Sequence, residues 1–88
     1  MEVKFAKLFE KDLMSISEKQ VILKVDEIIQ ALSGAKNLQE ITGIKKLRGH
    51  KDCYRIRIGS HRLGLKVEKD TIWLARLMLR KDIYKYFP

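Results

Sequence analysis

Apolar and polar residues alternate at the start of the chain, where Val3 and Phe5 fall on one side of "EVKFAKLF" and Glu2, Lys4 and Ala6 on the other. That period of two predicts a short strand. From about Leu8 the spacing lengthens, and Leu8, Leu13 and Ile16 suit a short helix. Within "SISEKQVILKVDEIIQALSG", Ser17 and Gln20 have the spacing of a capping box. Val21, Val25, Ile28, Ile29 and Leu32 then form a helical stripe, and Gly34 offers a left-handed residue to end it. Such a stripe must be buried, and a sheet is the expected cover. The segment "KNLQEITGIKKLRGHKD" has two glycines, mixed polarity and Leu38, Ile41, Ile44 and Leu47 as anchors, so it reads as a connection with a short helical turn. Three strands follow, from about Cys53 to Ile58, Arg62 to Glu68 and Thr71 to Leu79. Their links, Gly59-Ser60-His61 and Lys69-Asp70, are short enough for antiparallel hairpins. "RKDIYKYFP" closes the chain as a brief helical segment. The expected architecture is α+β: an N-terminal strand, two helices, a three-stranded antiparallel meander and a C-terminal helical segment, in a single domain over residues 1–88.

Strand parity then separates two kinds of side chain. In an extended strand successive side chains point to opposite faces, so Tyr54, Ile56, Ile58, Leu63, Leu65 and Val67 are expected to meet the helices. Arg55, Arg57, Arg62 and Lys66 fall on the open face. Charge makes this face unusual. Residues 1–43 carry six lysines against seven acids, net −1, whereas residues 44–88 carry thirteen Lys or Arg against four acids, net +9. Between Tyr54 and Val67 there are five basic side chains, counting His61, and no acid. Alternating charge on a sheet face also serves solubility, but a solvated face usually mixes signs, because like charges across strands destabilise it. An unbalanced cluster is eased by an anion, and phosphate is the natural one.

Other features narrow the classes. No segment approaches the roughly 18 apolar residues of a membrane span, and "MEVKFAKLFEKD" lacks the layout of a signal peptide, so a cytoplasmic protein is expected. Cys53, the single cysteine, reads as a small strand residue. No cluster has metal-ligand spacing, and no glycine-rich phosphate loop or Ser-His-Asp set is evident, so neither a metal nor a cofactor is expected.

The stretch "YRIRIGSHRLGLKVEKDTIWLARLMLRKDIYKYFP" resembles the RelE/ParE superfamily of toxins from toxin–antitoxin pairs, especially its RelE-like members. The similarity is strongest from Tyr54 to Pro88; "IKKLRG" and the order of elements extend it towards the N-terminus. The resemblance implies a compact fold whose concave sheet face cleaves messenger RNA, usually in the ribosomal decoding site. It also implies a cognate acidic antitoxin that wraps the toxin, with operator DNA reached only through that antitoxin. By position, Arg55 and Arg57 match the basic pair of the first meander strand, where lysine stands in ribosome-dependent members. Arg62 matches the arginine opening the next strand, Arg80 the arginine after the last strand, and Tyr84 the C-terminal tyrosine near the scissile phosphate. RNA contacts are expected from these residues together with Lys66 and Lys81. Many relatives have histidine before the "RKDIY" arginine, whereas this chain has Leu79.

The chemistry fits these residue types. Metal-independent RNA cleavage uses the neighbouring 2′-hydroxyl as nucleophile, so a site must remove its proton, stabilise a phosphorane and protonate the departing 5′-oxygen. The forked guanidinium matches phosphate oxygens but does not transfer protons. Arg55, Arg57, Arg62 and Arg80 therefore read as clamps. Positive charge around a phenol favours the phenolate, which puts Tyr84 first for proton transfer. Its alternative role is aromatic packing, like Tyr86 and Phe87. His61 is a minor candidate because parity sets it with Leu63, and His50 reads as a solvated loop residue. Two other readings stay open: a non-cleaving toxin-fold protein, either a ParE-like gyrase inhibitor or an antitoxin-binding corepressor, and a basic nucleic-acid-binding domain without chemistry.

Overall fold

A computed structural model describes the whole chain, Met1 to Pro88. The elements are β1 (Glu2–Phe5), α1 (Lys7–Met14), α2 (Lys19–Gly34), a 3-10 turn (Leu38–Glu40), β2 (Ile44–Lys46), β3 (Cys53–Ile58), β4 (His61–Glu68), β5 (Thr71–Leu79) and α3 (Arg80–Tyr86). The strands form one five-stranded sheet in the order β1-β5-β4-β3-β2. β1 runs parallel to β5, and all other pairs are antiparallel. The α+β class and the meander are as expected from the sequence. The stretch expected to be a connection contributes an additional edge strand, β2, which pairs Ile44, Lys45 and Lys46 with Ile56, Arg55 and Tyr54.

The main core lies between the sheet and the helix pair α1–α2, with Val21, Val25, Ile28 and Leu32 meeting Ile56, Ile58, Leu63, Leu65, Ile72, Leu74 and Leu77. Parity places the meander's apolar residues there as expected. Several local readings need correcting. On α1 the buried anchor is Phe9, while Leu8 lies 51% exposed. Phe9 stacks on Phe5 at 5.9 Å. α2 begins at Lys19 with Glu18 as its N-cap and no side-chain cap, so Ser17 and Gln20 form no capping box. Val21 and Ile22 donate their amides to the Glu18 carbonyl instead. The capping box belongs to the 3-10 turn, where Asn37 accepts from the Gln39 amide and Glu40 reaches back to Asn37. Gly34 is the last helical residue of α2, and Ala35, extended at φ −79° and ψ 145°, ends it without a left-handed step.

Two contacts tie helices to the sheet. Where β1 stops, α1 covers the exposed edge of β5: Asp12 accepts from Arg76 at 2.8 and 3.1 Å and from the Leu77 amide at 2.9 Å. On the opposite face the sheet is only partly open, because α3 docks there through Ile83 and Phe87, which form a small second core with Cys53. The ring of Phe87 lies flat on β4 where Gly64 has no side chain, and a Cβ at that position would sit 2.8 Å from it. Tyr86, by contrast, points into solvent rather than packing.

Overpacking of this kind costs about 1–3 kcal/mol. Gly64→Ala is therefore expected to lower the unfolding free energy measured by urea denaturation by that amount, and adding Phe87→Leu should recover part of it. Unchanged stability in Gly64→Ala would show that the ring and β4 are not in close contact.

Candidate active site

Four elements bring one set of side chains around a single cavity of about 370 Å³. β3 supplies Arg55 and Arg57, β4 supplies Arg62, and α3 supplies Arg80 and Tyr84. Arg80 and Tyr84 are four residues apart, so they share one face of α3, while Ile83 and Phe87, also four apart, hold the adjacent face against the sheet. Docking of the helix thus aims Arg80 and Tyr84 at the strand arginines. β2 adds Lys45, which sits directly opposite Arg55.

The tight turn between β3 and β4 sets the arginine spacing. Gly59, at φ +59°, takes the first position of the two-residue loop, where a type II′ turn calls for glycine. Pairing then places Arg57 directly opposite Arg62. Arg62 is only 8% exposed, and one of its terminal nitrogens donates to the Gly59 and His61 carbonyls, each at 2.9 Å. These two bonds lock the side chain onto its own turn. No buried side-chain polar atom is left without a partner, so the remaining guanidinium nitrogens of Arg62, which lines the cavity, are not sealed from solvent.

Burial holds the Arg62 guanidinium below its ordinary pKa, and Arg57, Arg80 and Arg55 push in the same direction. The ion pairs of the protein involve none of Lys45, Arg55, Arg57, Arg62 or Arg80. The arginine that does have a carboxylate is Arg76, outside the cavity, whose pKa is raised by its hydrogen bond to Asp12. Within the cavity the one hydrogen bond between two side chains joins the Arg55 guanidinium, as donor, to the Tyr84 hydroxyl oxygen. The guanidinium carbon of Arg55 stands 5.5 Å from the Tyr84 ring centroid. Five cations and a phenol without a carboxylate can hold several oxygens of a tetrahedral anion and stabilise additional negative charge on it.

The structure thus gathers Arg55, Arg57, Arg62, Arg80 and Tyr84 but not every residue singled out in the sequence. Lys66 lies outside the cavity, about 13 Å from Arg62 along β4, and pairs with Glu68 at 3.7 Å. Lys81 lines a neighbouring cleft with Ser60 and Leu79 that shares Arg80 and Tyr84 with the first cavity. His61 is buried on the helix face, 3.9 Å from Glu18, so parity holds through the turn and removes it from the cavity. His50 is exposed in the loop after β2. Burial raises the pKa of the Cys53 thiol, as suits its place in the core under α3. Lys45 was missed because its segment reads as a connection; with Ile44 packed on the core, strand parity would have turned Lys45 to the arginine face.

Comparison with known proteins gives a consistent result. The family model described as the ParE toxin of the type II toxin–antitoxin system parDE matches residues 3–84. Toxin RelE3 of Methanocaldococcus jannaschii is 39% identical over the full length of both chains. The crystal structure of a RelB–RelE antitoxin–toxin complex from Methanococcus jannaschii superposes with a TM-score of 0.82 at 38% identity, covering 97% of this chain and 99% of that one. An archaeal RelE–RelB complex from Pyrococcus horikoshii matches at 26% identity with a TM-score of 0.71, covering 90% and 93% of the two chains.

If the cavity holds phosphates, binding of a non-cleavable 2′-O-methyl oligonucleotide should weaken steeply with salt. Arg57→Ala should then reduce the log–log slope by about 0.7, the value for one phosphate contact on a single strand. Lys66→Ala should leave the slope unchanged. Equal losses in the two variants would spread the interaction over the surface and remove the cavity's special role.

Proposed function

The chain belongs to the RelE/ParE superfamily of toxins from type II toxin–antitoxin systems, and on that footing we propose that it is an endoribonuclease that cleaves messenger RNA on the ribosome and so inhibits translation. The observation that carries this reading is the convergence of five uncompensated cations and Tyr84 on one cavity. In the proposed reaction the 2′-oxygen attacks the adjacent phosphorus and the bond to the 5′-oxygen breaks. The products are a 2′,3′-cyclic phosphate and a 5′-hydroxyl.

Arg55, Arg57, Arg62 and Arg80 clamp the phosphate and stabilise the phosphorane, whose charge exceeds that of the ground state. Tyr84 takes the proton from the 2′-hydroxyl. Its oxygen already accepts from Arg55, so negative charge on that oxygen is compensated where it forms. Leu79, standing where many relatives have histidine, has no proton to exchange, which leaves this task to the tyrosine. The lining offers no carboxylate, the ligand type that magnesium requires, and the reaction is written without a metal.

A cognate acidic antitoxin neutralises the toxin while the cell grows, and operator DNA is contacted only through that antitoxin. The net +9 of residues 44–88 supports this, as does the similarity to toxins solved with their antitoxins. The ParE family match supports a second reading, a non-cleaving toxin of the gyrase-inhibiting kind or a corepressor. The meeting of Tyr84 with the four arginines favours the nuclease.

Tyr84→Phe keeps the ring and deletes only the hydroxyl. It should slow cleavage on translating ribosomes by about a hundred- to ten-thousandfold, with RNA affinity unchanged. Arg80→Ala should cost roughly a hundredfold or more, as loss of an oxyanion donor does. A folded Tyr84→Phe protein that cleaves at the parent's rate would remove the tyrosine from proton transfer. Coexpression with the acidic protein encoded beside it should yield a stable, non-toxic complex; recovery of the chain alone, soluble and harmless to its host, would count against the toxin role.

A further inference from the structure

The cleavage proposed above leaves one proton without a donor. A 5′-oxygen leaves poorly as an alkoxide at neutral pH, so a group facing the scissile bond must protonate it. Six side chains line the cavity, four of them arginines, which keep their protons at any accessible pH. Tyr84 is the acceptor of the Arg55 bond and receives the 2′-hydroxyl proton. The remaining side chain is Lys45.

We propose that Lys45 is the general acid of this site, an assignment that rests on the endoribonuclease reading. Its strand position stands directly opposite Arg55, and the Arg55 guanidinium in turn donates to the Tyr84 oxygen. Arg55 thereby links the two proton-transfer groups, which reach one cavity from separate elements, β2 and α3. The Lys45 ammonium has no carboxylate partner, so its protons are not committed elsewhere. A lysine is a mobile point donor on a four-carbon stem, able to follow a departing oxygen, whereas the planar arginine fork suits fixed oxygens. In the step, the 2′-hydroxyl proton passes to the Tyr84 phenolate, and the 2′-oxygen forms a bond to phosphorus. The bond from phosphorus to the 5′-oxygen breaks, and that oxygen takes a proton from the Lys45 ammonium. Tyr84 ends protonated and Lys45 neutral, and exchange with water restores both.

The test compares Lys45→Arg and Lys45→Met with the parent in single-turnover cleavage on programmed ribosomes. Two messages are used, one all-oxygen and one with sulfur replacing the bridging 5′-oxygen at the cleaved bond. A thiolate leaves without being protonated. Both variants should cleave the oxygen message about a hundred- to ten-thousandfold more slowly than the parent, because arginine preserves charge without donating a proton. Both should cleave the sulfur message at the parent's rate, while Tyr84→Phe stays slow on both. Lys45 is exposed on an edge strand, and an unchanged unfolding midpoint in each variant confirms that the fold is intact. Parent-like cleavage of the oxygen message by Lys45→Arg would reduce Lys45 to a charge and overturn the assignment, as would equal slowing on both messages. A parent that cleaves neither message removes the endoribonuclease reading and this assignment together.

Discussion

Arg57 and Arg62 face each other across neighbouring strands with no acid between them, and the site depends on the fold holding them there. Like charges directly opposite on a sheet destabilise it by roughly 0.2–1 kcal/mol. Each buried Val, Leu or Ile on the other side of the same strands contributes about 1.5–3 kcal/mol. Ile56, Ile58, Leu63 and Leu65 alternate with the arginines, so the residues that sustain the repulsion are sequence neighbours of those that create it. Parity couples them: a one-residue slip of register that turned the arginines away would expose the core. The turn carbonyls that accept from Arg62 add to this, fixing a guanidinium that burial and its neighbours make costly to keep charged. A site in this state is already arranged for an anion with more charge than one phosphate diester oxygen carries.

The remaining elements serve that arrangement. α3 is short, and its orientation comes from Ile83 and Phe87, the latter laid over Gly64 of the strand that carries Arg62. The cavity arginine Arg62 and the docking of the helix thus share one strand. Asp12 spends its carboxylate on Arg76 and the β5 edge, which neutralises one cation for stability and leaves those of the cavity uncompensated. Arginine at positions 55 and 57 suits fixed phosphate oxygens and not proton transfer. Because arginine exchanges no proton, the tyrosine and the edge-strand lysine become the groups to examine.

The sequence showed some of this clearly and some not at all, for reasons that particular residues make plain. β3 and β5 were readable to their ends because alternation and short links are local signals, and the arginine face followed from them. β2 was not readable: three residues cannot establish a period, and Ile44–Lys46 becomes a strand only through its pairing with β3. Lys45 was lost with it. Ser17 and Gln20 had the right spacing for a cap, yet the chain enters α2 later, since spacing says nothing about entry angle. Phe9 displaced Leu8 as the anchor of α1 because docking against Phe5 and the sheet, not periodicity, decides which side of a short helix is buried. Lys66 shares a face with Arg62, but parity fixes a face and not a distance along it.

In the proposed reaction the uncompensated cations around Tyr84 act on a phosphodiester through its own 2′-hydroxyl. Incubating the purified protein with ribosomes paused on a defined message and determining the chemistry of the new ends decides whether they do. The expected result is a break within the message bearing a 2′,3′-cyclic phosphate on one side and a 5′-hydroxyl on the other. An intact message, or new ends carrying a 5′-phosphate, would contradict it.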